Sequence, residues 1–504
     1  MEYLVGIDLG TQGVRSCLFD LDGRPKASAS RPYATRYLRP GWVEQDPEEW
    51  WDALVAALRE TIARAAVRPE SVRALSYACT ACTVVALDPE GRPVRPALIW
   101  MDERAHEEAA WLTGLRHPRY RYCGGTVSPQ WMLPKALWLK RHEPATYAGA
   151  ARLVEATDFL TYRLTGTWTA SQDNATAKWH YLRALGGWPD DLLRAAELEA
   201  LRAKWPDRVL PVGTPVGSLR PAVAAATGLT PATLVAQGGI DAHAGMIGLG
   251  AVEPGDLALI VGSSTCHMAL SPTPVFADIW GPYPDALVEG SFTLEGGQTA
   301  TGSIVQWLLR LTGQTEADGE LGSVIARLEA EAARLPPGAE GLIVVDHFQG
   351  NRTPHKDPHA RGAMIGLTLA HSPAHLLRAV YEGIAFGARE VLENMVAHGF
   401  ALERLFAGGG GARSSLWMQI HADVLGRPIQ LPGRGEAMAL GAAIWGALGS
   451  GLFGGYREAI RRMVQAGPVV EPVAARRTVY DVSYARYRAA YPCLRDLAHR
   501  MAAS

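Results

Sequence analysis

The stretch "VGIDLGTQGVRS", Val5–Ser16, carries the pattern that decides the fold. An apolar run ends at Asp8, a turn of small and polar residues follows at Gly10–Gly13, and the chain becomes apolar again from Val14. Glycine and small polar residues between two apolar runs are typical of a tight β-hairpin. Turns of this composition also point backbone N–H groups at phosphate oxygens. The stretch alone leaves two interpretations open, a plain hairpin or a hairpin that binds phosphate.

Two more turns of this kind follow apolar strands later in the chain. They lie at Gly262–Thr265, within "GDLALIVGSSTCHMALS", and at Gly408–Gly411, within "LERLFAGGGGARSS". None has the spacing of the Walker or the dinucleotide-binding glycine motifs. The hairpin with a small polar turn recurs about 250 residues after the first. The sequence therefore predicts a duplicated α/β domain with a nucleotide between the two halves.

Length, composition and net charge indicate the number of domains and the kinds of partner to expect. A chain of 504 residues exceeds what one hydrophobic core usually covers, so two large domains or three smaller ones are expected. The recurring hairpin favours two domains, 1–246 and 247–504. Apolar residues make up 48% and charged residues 20%, which is an ordinary globular balance. The formal net charge of -2 gives no reason to expect a nucleic acid or an acidic membrane as a partner.

Three local patterns bear on the cellular location of the protein and on the state of two of its cysteines. Ala437–Gly455 is 19 residues without a charge, but six of them are glycine, which predicts a buried helix from Ala437 to about Leu448 instead of a membrane span. Cys79 and Cys82 lie in "VRALSYACTACTVVALD", 72–88, which predicts one strand with buried thiols. No basic segment followed by an apolar one is found at the N-terminus, so a cytoplasmic location is expected.

Two aspartates at strand ends are the candidate chemical groups. Asp8 fits either an Asx turn onto its hairpin or a carboxylate that holds Mg²⁺ beside phosphates. Asp241, in "LVAQGGIDAHAG", fits either a helix cap or a general base. His243 and His267 are assigned to packing or hydrogen bonding. The polar segment 347–362 fits a solvated loop or a loop that closes over an anionic ligand.

Four motifs together resemble the FGGY carbohydrate kinases of the actin-like, ribonuclease-H-like ATPase superfamily, over essentially the whole chain. They are "GIDLGTQGVR", 6–15; "GSSTCHM", 262–268; "GAMIGLTLAHSPAHLLRAVYE", 362–382; and "AGGGGARSSLWMQIHADVLG", 407–426. The resemblance implies two actin-like α/β domains with an active-site cleft between them. It also implies ATP and Mg²⁺ as cofactors and a small sugar as the phosphoryl acceptor.

The resemblance also implies site residues. Asp241 would be the catalytic base, and Asp8 and Asp241 would hold the metal. The implied ATP-binding residues are Gly10, Thr11, Gln12, Arg15, Gly262, Ser263, Ser264, Thr265, Gly409, Gly410, Gly411 and Ser414. The implied sugar-binding residues are Ala81, Asp102, Trp131, Lys178, Asp241 and Glu295.

Within the family, the sugar-site segments resemble ribulokinases. "TACT", 80–83, "QWMLPK", 130–135, and "EGGQTATG", 295–302, are similar to kinases of L- and D-ribulose. "WMDERAH", 100–106, and "DIWGPYPDALVEG", 278–290, are more similar to D-ribulose kinases, although Ala78-Cys79 stand where ribulokinases have an aspartate. The implied reaction is phosphorylation of D-ribulose to D-ribulose 5-phosphate. L-ribulose, D-xylulose, a non-sugar actin-like ATPase and a homodimer stay open.

Overall fold

The computed structural model describes residues 1–313 and 321–502. Up to residue 248 the strands are β1 (Tyr3–Leu9), β2 (Gly13–Asp20), β3 (Pro25–Pro32), β4 (Arg36–Arg39), β5 (Trp42–Gln45), β6 (Val72–Cys79), β7 (Val84–Leu87), β8 (Ala97–Leu98), β9 (Arg152–Glu155), β10 (Ala170–Ser171), β11 (Val209–Leu210), β12 (Pro215–Ser218), β13 (Leu234–Ala236) and β14 (Gly239–Ile240). The helices of this part are α1 (Pro47–Ala65), α2 (His106–Gly114), α3 (Met132–His142), α4 (Pro144–Gly149), α5 (Ala156–Thr165), α6 (Gln172–Lys178), α7 (Asp190–Ala195), α8 (Pro221–Thr227) and α9 (Asp241–Gly248).

The rest of the described chain continues the alternation of strands and helices. Its strands are β15 (Asp256–Val261), β16 (Thr265–Ser271), β17 (Trp280–Pro284), β18 (Phe292–Gln298), β19 (Ile343–Val345), β20 (Ala363–Ile365), β21 (Arg404–Gly408), β22 (Ile429–Pro432) and β23 (Ala466–Val470). Its helices are α10 (Gly302–Leu311), α11 (Leu321–Ala332), α12 (Pro373–Ala397), α13 (Ser415–Leu425), α14 (Ala437–Gly449), α15 (Tyr456–Met463) and α16 (Arg477–Ala502).

The two large sheets repeat one arrangement. The first has the order β12-β13-β6-β1-β2-β3, with β14 also pairing with β6, and the second has the order β17-β18-β16-β15-β21-β22-β23. In each sheet an antiparallel hairpin, β1–β2 or β15–β16, lies beside a parallel strand, β6 or β21. The predicted duplication of an α/β domain is therefore confirmed.

This arrangement brings the polar turns to one edge of each sheet. Leu9 at the end of β1 pairs with Cys79 at the end of β6, and Ile260 on β15 pairs with Gly408 at the end of β21. Parallel strands end at the same edge, where open α/β sheets bind their ligands. The turn after β1 thus lies beside the turn after β6, and the turn after β15 lies beside the glycines after β21.

Helix α14 joins the two halves of the chain. It comes late in the sequence, yet it packs against β1, β6 and α9 of the first sheet. A Cβ at Gly6 would lie 1.7 Å from the carbonyl oxygen of Ala439, and a Cβ at Gly248 would lie 1.9 Å from that of Ala437. Glycine at these positions is what lets the backbones approach so closely. Across the described residues, no helix has both the length and the apolar character needed to cross a membrane.

The segment 72–88 differs from the single strand that its pattern predicts. It is split into β6 and β7, which belong to different sheets, and Cys82 between them has a φ of 59°. The buried Lys135 ammonium donates to the carbonyls of Cys82, Leu98 and Ile99 at 2.6–3.1 Å. Because these carbonyls find their partner in a distant side chain, the local pattern could not reveal the break. Both thiols are buried, as predicted.

Candidate active site

A cleft of about 350 Å³ lies where the turns of the two sheets face each other. It takes side chains and backbone from both halves of the chain. The residues that the sequence analysis singled out and that line this cleft are Asp8, Gly10, Thr11, Gln12, Ala81, Lys178, Asp241, Gly262, Ser263, Ser264, Glu295, Gly409 and Gly410.

The first turn is held from several sides. The N–H of Gly10 donates to the carbonyl of Gly13 at 3.1 Å, which closes the hairpin. Trp100 Nε1 donates to the Thr11 hydroxyl at 2.9 Å, and Gln45 Nε2 donates to the Thr11 carbonyl at 2.7 Å. In the described part of the chain the Asp8 carboxylate accepts no hydrogen bond, so the Asx-turn interpretation fails. These hydrogen bonds hold the turn in place and leave the Asp8 carboxylate open to the cleft.

The second turn has its own closing bonds. The N–H of Gly262 donates to the carbonyl of Ser264 at 2.8 Å, and the N–H of Thr301 donates to that of Ser263 at 2.8 Å. Thr265 differs from the other predicted residues of this turn, because it is buried and its hydroxyl donates to Thr301 Oγ1 at 3.0 Å. It fixes the turn and does not line the cleft.

The third turn divides its residues between lining and support. Gly409 and Gly410 line the cleft, whereas a Cβ at Gly411 would lie 2.4 Å from Val261 Cγ1 and 2.7 Å from the Trp417 ring. The Ser414 hydroxyl accepts the N–H of Trp417 at 3.1 Å and caps α13. Gly411 and Ser414 therefore shape the turn from behind.

Arg15 lies in a groove that adjoins the cleft. This groove, of about 530 Å³, shares Gly409 and Gly410 with the cleft. Arg15 stands opposite Asp8 in the β1–β2 ladder, and its guanidinium lies 2.5 Å from the Glu436 carboxylate. Its positive charge therefore interacts with Glu436 of the second half and with Asp8 in the cleft.

Asp8 and Asp241 are two half-buried carboxylates, and the charge of Asp241 disfavours ionisation of Asp8. Burial raises the pKa of Asp241 to about 6, and burial together with the charge of Asp241 raises the pKa of Asp8 to about 7. Within residues 1–313 and 321–502 no three His, Cys, Asp or Glu side chains gather as a metal site. Two such carboxylates fit Mg²⁺, which keeps water and phosphate oxygens as its other ligands.

A buried ion pair stands at another part of the cleft. Lys178 Nζ lies 2.6 Å from Glu295 Oε2, and the Tyr283 hydroxyl donates to the same oxygen at 3.3 Å. Burial is the largest single influence and by itself would raise the pKa of Glu295, but the charges of Lys178 and Arg352 and the hydrogen bond from Lys178 together outweigh it, so the pKa lies below its usual value. The pair offers a charged donor and a charged acceptor to a polyhydroxyl ligand.

Trp280 and Arg352 are among the residues that line the cleft without having been assigned to the site from the sequence. Trp280 and Arg352 are both present, with the Arg352 guanidinium 4.4 Å from the centre of the Trp280 ring and Lys178 Nζ also 4.4 Å from it. The sequence pointed to them only through their segments, because Trp280 belongs to "DIWGPYPDALVEG" and Arg352 to the polar segment 347–362. Thr353 anchors this segment to the backbone of Gly297 at 2.7–2.8 Å.

Two predicted sugar-binding residues do not line the cleft. Asp102 is fully buried, and its carboxylate accepts the N–H of Val43 at 2.7 Å and the guanidinium of Arg104 at 2.7–2.9 Å. Trp131 is fully buried and meets Trp280 edge-on, with ring centres 5.2 Å apart. The structure therefore lends no support to their predicted place in the sugar site, because Arg104 and Val43 hold the Asp102 carboxylate and Trp131 packs behind Trp280.

The two histidines near the turns have hydrogen-bond partners, as predicted. His243 Nδ1 lies 2.5 Å from Asp173 Oδ1, and His267 Nε2 lies 3.2 Å from Gln298 Oε1. Both side chains are buried. Neither belongs to a metal-ligand set in the part of the chain that the structure describes.

Comparisons with known proteins agree with this geometry. Residues 3–248 match the N-terminal domain of the FGGY family of carbohydrate kinases, and residues 257–450 match its C-terminal domain. The chain is 32% identical to a ribulokinase of Geobacillus thermodenitrificans, covering 96% of this chain and 93% of that protein. It is 33% identical to an FGGY carbohydrate kinase domain-containing protein of Danio rerio, covering 97% of each.

A solved structure gives the same result for the fold. The xylulose kinase of Rhodospirillum rubrum superposes with a TM-score of 0.85 at 31% identity, over 99% of this chain and 100% of that one. The predicted two-domain fold with actin-like ATPase architecture is confirmed. The chain belongs to the FGGY family of carbohydrate kinases, which use ATP to phosphorylate a sugar hydroxyl.

Proposed function

We propose that this sugar kinase transfers the γ-phosphoryl group of ATP to a primary hydroxyl of a ketopentose, with D-ribulose preferred. The observation that carries the proposal is that one cleft holds two sets of groups. The small polar turns after β1, β15 and β21 lie there with Asp8 and Asp241, and so does the Lys178–Glu295 pair. The preference for D-ribulose rests on the segments 100–106 and 278–290, which resemble D-ribulose kinases. Trp280, from the second segment, lines the cleft.

Asp241 is the general base of the proposed reaction. The acceptor hydroxyl oxygen forms a bond to the γ-phosphorus while the bond to the β,γ-bridging oxygen breaks, and ADP leaves with that electron pair. The hydroxyl proton passes to the Asp241 carboxylate. The raised pKa of Asp241, about 6, makes it a better proton acceptor than an ordinary aspartate while leaving it largely ionised near neutral pH.

ATP is bound by the turns and the adjoining groove. The backbone N–H groups of Thr11, Gln12, Ser263 and Ser264 contact phosphates, and Gly409 and Gly410 let the nucleotide approach β21 closely. The groove beyond them has room for the adenosine part. Asp8 and Asp241 would hold Mg²⁺, which would neutralise phosphate charge when bound. Arg352, from the second half of the chain, adds a positive charge to the cleft.

The sugar lies against the ion pair. Lys178 and Glu295 donate to and accept from sugar hydroxyls, and the Trp280 ring covers a carbon face. Ala81 borders this part with a methyl group only and leaves space for the sugar. Closing of the two halves around the sugar excludes water, which would otherwise compete as the acceptor.

A panel of acceptors tests the proposal. ADP release is measured with D-ribulose, L-ribulose, D-xylulose, ribitol or glycerol, and without any acceptor. We expect D-ribulose to give the highest kcat/KM and to raise the rate at least about 100-fold over the acceptor-free rate. A higher kcat/KM for L-ribulose or D-xylulose would overturn the sugar assignment alone. No stimulation beyond a few fold by any ketopentose would overturn the proposed function and favour a non-sugar ATPase.

A further inference from the structure

A buried aspartate behind the cleft holds the backbone that carries the base. Asp173, on α6, is fully buried, and both oxygens of its carboxylate have partners. Oδ2 accepts the N–H of Ile240 at 2.9 Å, and Oδ1 lies 2.5 Å from His243 Nδ1. These partners stand one residue before and two residues after Asp241. One carboxylate therefore clamps the backbone on both sides of the base.

The clamp depends on a close approach that only glycine allows. A Cβ at Gly239 would lie 2.5 Å from Asp173 Oδ2. The bare backbone at β14 lets the carboxylate reach the N–H of the next residue, Ile240. Burying a carboxylate is costly unless hydrogen bonds compensate it. Here both compensating contacts go to the segment that bears Asp241.

Asp241 itself has little else to fix its direction. In the described part of the chain its carboxylate accepts hydrogen bonds from no side chain, only from local backbone such as the N–H of Ala242 at 2.7 Å. Its position therefore follows the backbone at the start of α9, which Asp173 and His243 hold. Helix α6 also carries Lys178, so one short buried element supports both the base and the lysine of the ion pair.

We propose that Asp173 is a positioning residue for phosphoryl transfer, which holds the Asp241 carboxylate toward the acceptor hydroxyl through Ile240 and His243. This inference rests on the function proposed above. A misplacement of about 1 Å at the reacting groups costs about 100-fold in rate. Loss of the clamp should therefore lower kcat and leave the binding of sugar and ATP almost unchanged, because neither contacts Asp173.

A double-mutant cycle tests this. Asp173→Asn is made in the wild-type chain and in the Asp241→Asn background, and single-turnover transfer from labelled ATP to the best acceptor of the panel is measured. We expect Asp173→Asn to lower the wild-type rate at least 10-fold, with the sugar KM within about twofold. In the Asp241→Asn background it should lower the residual rate less than twofold, since residues that act through one another are not additive.

The control variant removes a different buried hydrogen bond that is made by the same helix, α6. Asn174→Ala removes the hydrogen bond from Asn174 Nδ2 to Glu155 Oε2 (2.7 Å), which does not face Asp241, and should change kcat less than twofold. An unchanged rate in Asp173→Asn, or an equal fall in both backgrounds, would overturn the positioning role. If Asp173→Asn fails to fold, His243→Gln takes its place in the cycle with the same criteria. A wild type without sugar-dependent turnover would overturn the proposed function instead.

Discussion

Lys178 Nζ lies 2.6 Å from Glu295 Oε2, and the two buried side chains come from different halves of the chain. We predict that Glu295→Gln and Lys178→Met each raise the sugar KM at least about 10-fold, because each removes a charged group from the proposed sugar site. Each single variant should also lower Tm, because it leaves a buried charge unpaired. The double variant should regain part of the Tm and none of the sugar affinity. An unchanged sugar KM in both single variants would contradict a sugar role for the pair.

The base assignment predicts the behaviour of Asp241→Asn. The amide cannot accept the hydroxyl proton, and we expect kcat to fall by about 10²–10⁴-fold. Sugar affinity, measured by calorimetry, should stay within about fivefold, because the Lys178–Glu295 pair is intact. Full sugar-dependent turnover in this variant would show that another group takes the proton.

Asp102 should matter for stability and not for the sugar. Its carboxylate is bound to Arg104 in the interior, and Asp102→Asn leaves that guanidinium with Glu44 at 2.9 Å as its remaining carboxylate partner. Breaking a buried pair costs about 3 kcal/mol. We expect a lower Tm and a sugar KM within about twofold of wild type. A raised sugar KM with an unchanged Tm would restore the sugar-site interpretation.

Trp280 and Trp131 should also differ in effect, the first changing the sugar KM and the second changing the stability. Trp280 lines the cleft, and Trp280→Leu should raise the sugar KM about 10-fold through loss of ring contact with the sugar. Trp131 lies behind it, fully buried, and Trp131→Phe is the matched control that should lower Tm with little effect on KM. Equal effects of the two changes on KM would contradict this division.

Asp158 gives a prediction about pH. Burial raises its pKa to about 8, although its carboxylate accepts the N–H groups of Ser171 and Glu155. Since the folded pKa lies above the unfolded value of about 4, the stabilising contribution is complete below pH 4 and is lost as pH rises toward 8. The Tm of the wild type relative to that of Asp158→Asn should therefore fall between pH 5 and pH 8. Parallel Tm curves for the two proteins would contradict this.

Local sequence was sufficient wherever the signal lay within one element and its turn. The hairpin around Gly10–Gly13, its counterpart at Gly262–Thr265 and the helix from Ala437 were all predicted from such signals. The break of the 72–88 segment was not, because the carbonyl of Cys82 is satisfied by Lys135, 53 residues away. The predicted boundary at residue 246 stays a prediction.

The sequence by itself determined that two α/β halves face each other with phosphate-type turns, and that Asp8 and Asp241 stand at strand ends, because these features follow from periodicity, turn composition and recurring motifs. The tertiary structure decided which side chains reach the cleft. Trp280 and Arg352 enter it, whereas Asp102 and Trp131 turn into the interior. The direction of a side chain depends on partners distant in sequence, such as Arg104 for Asp102, and no local pattern records them.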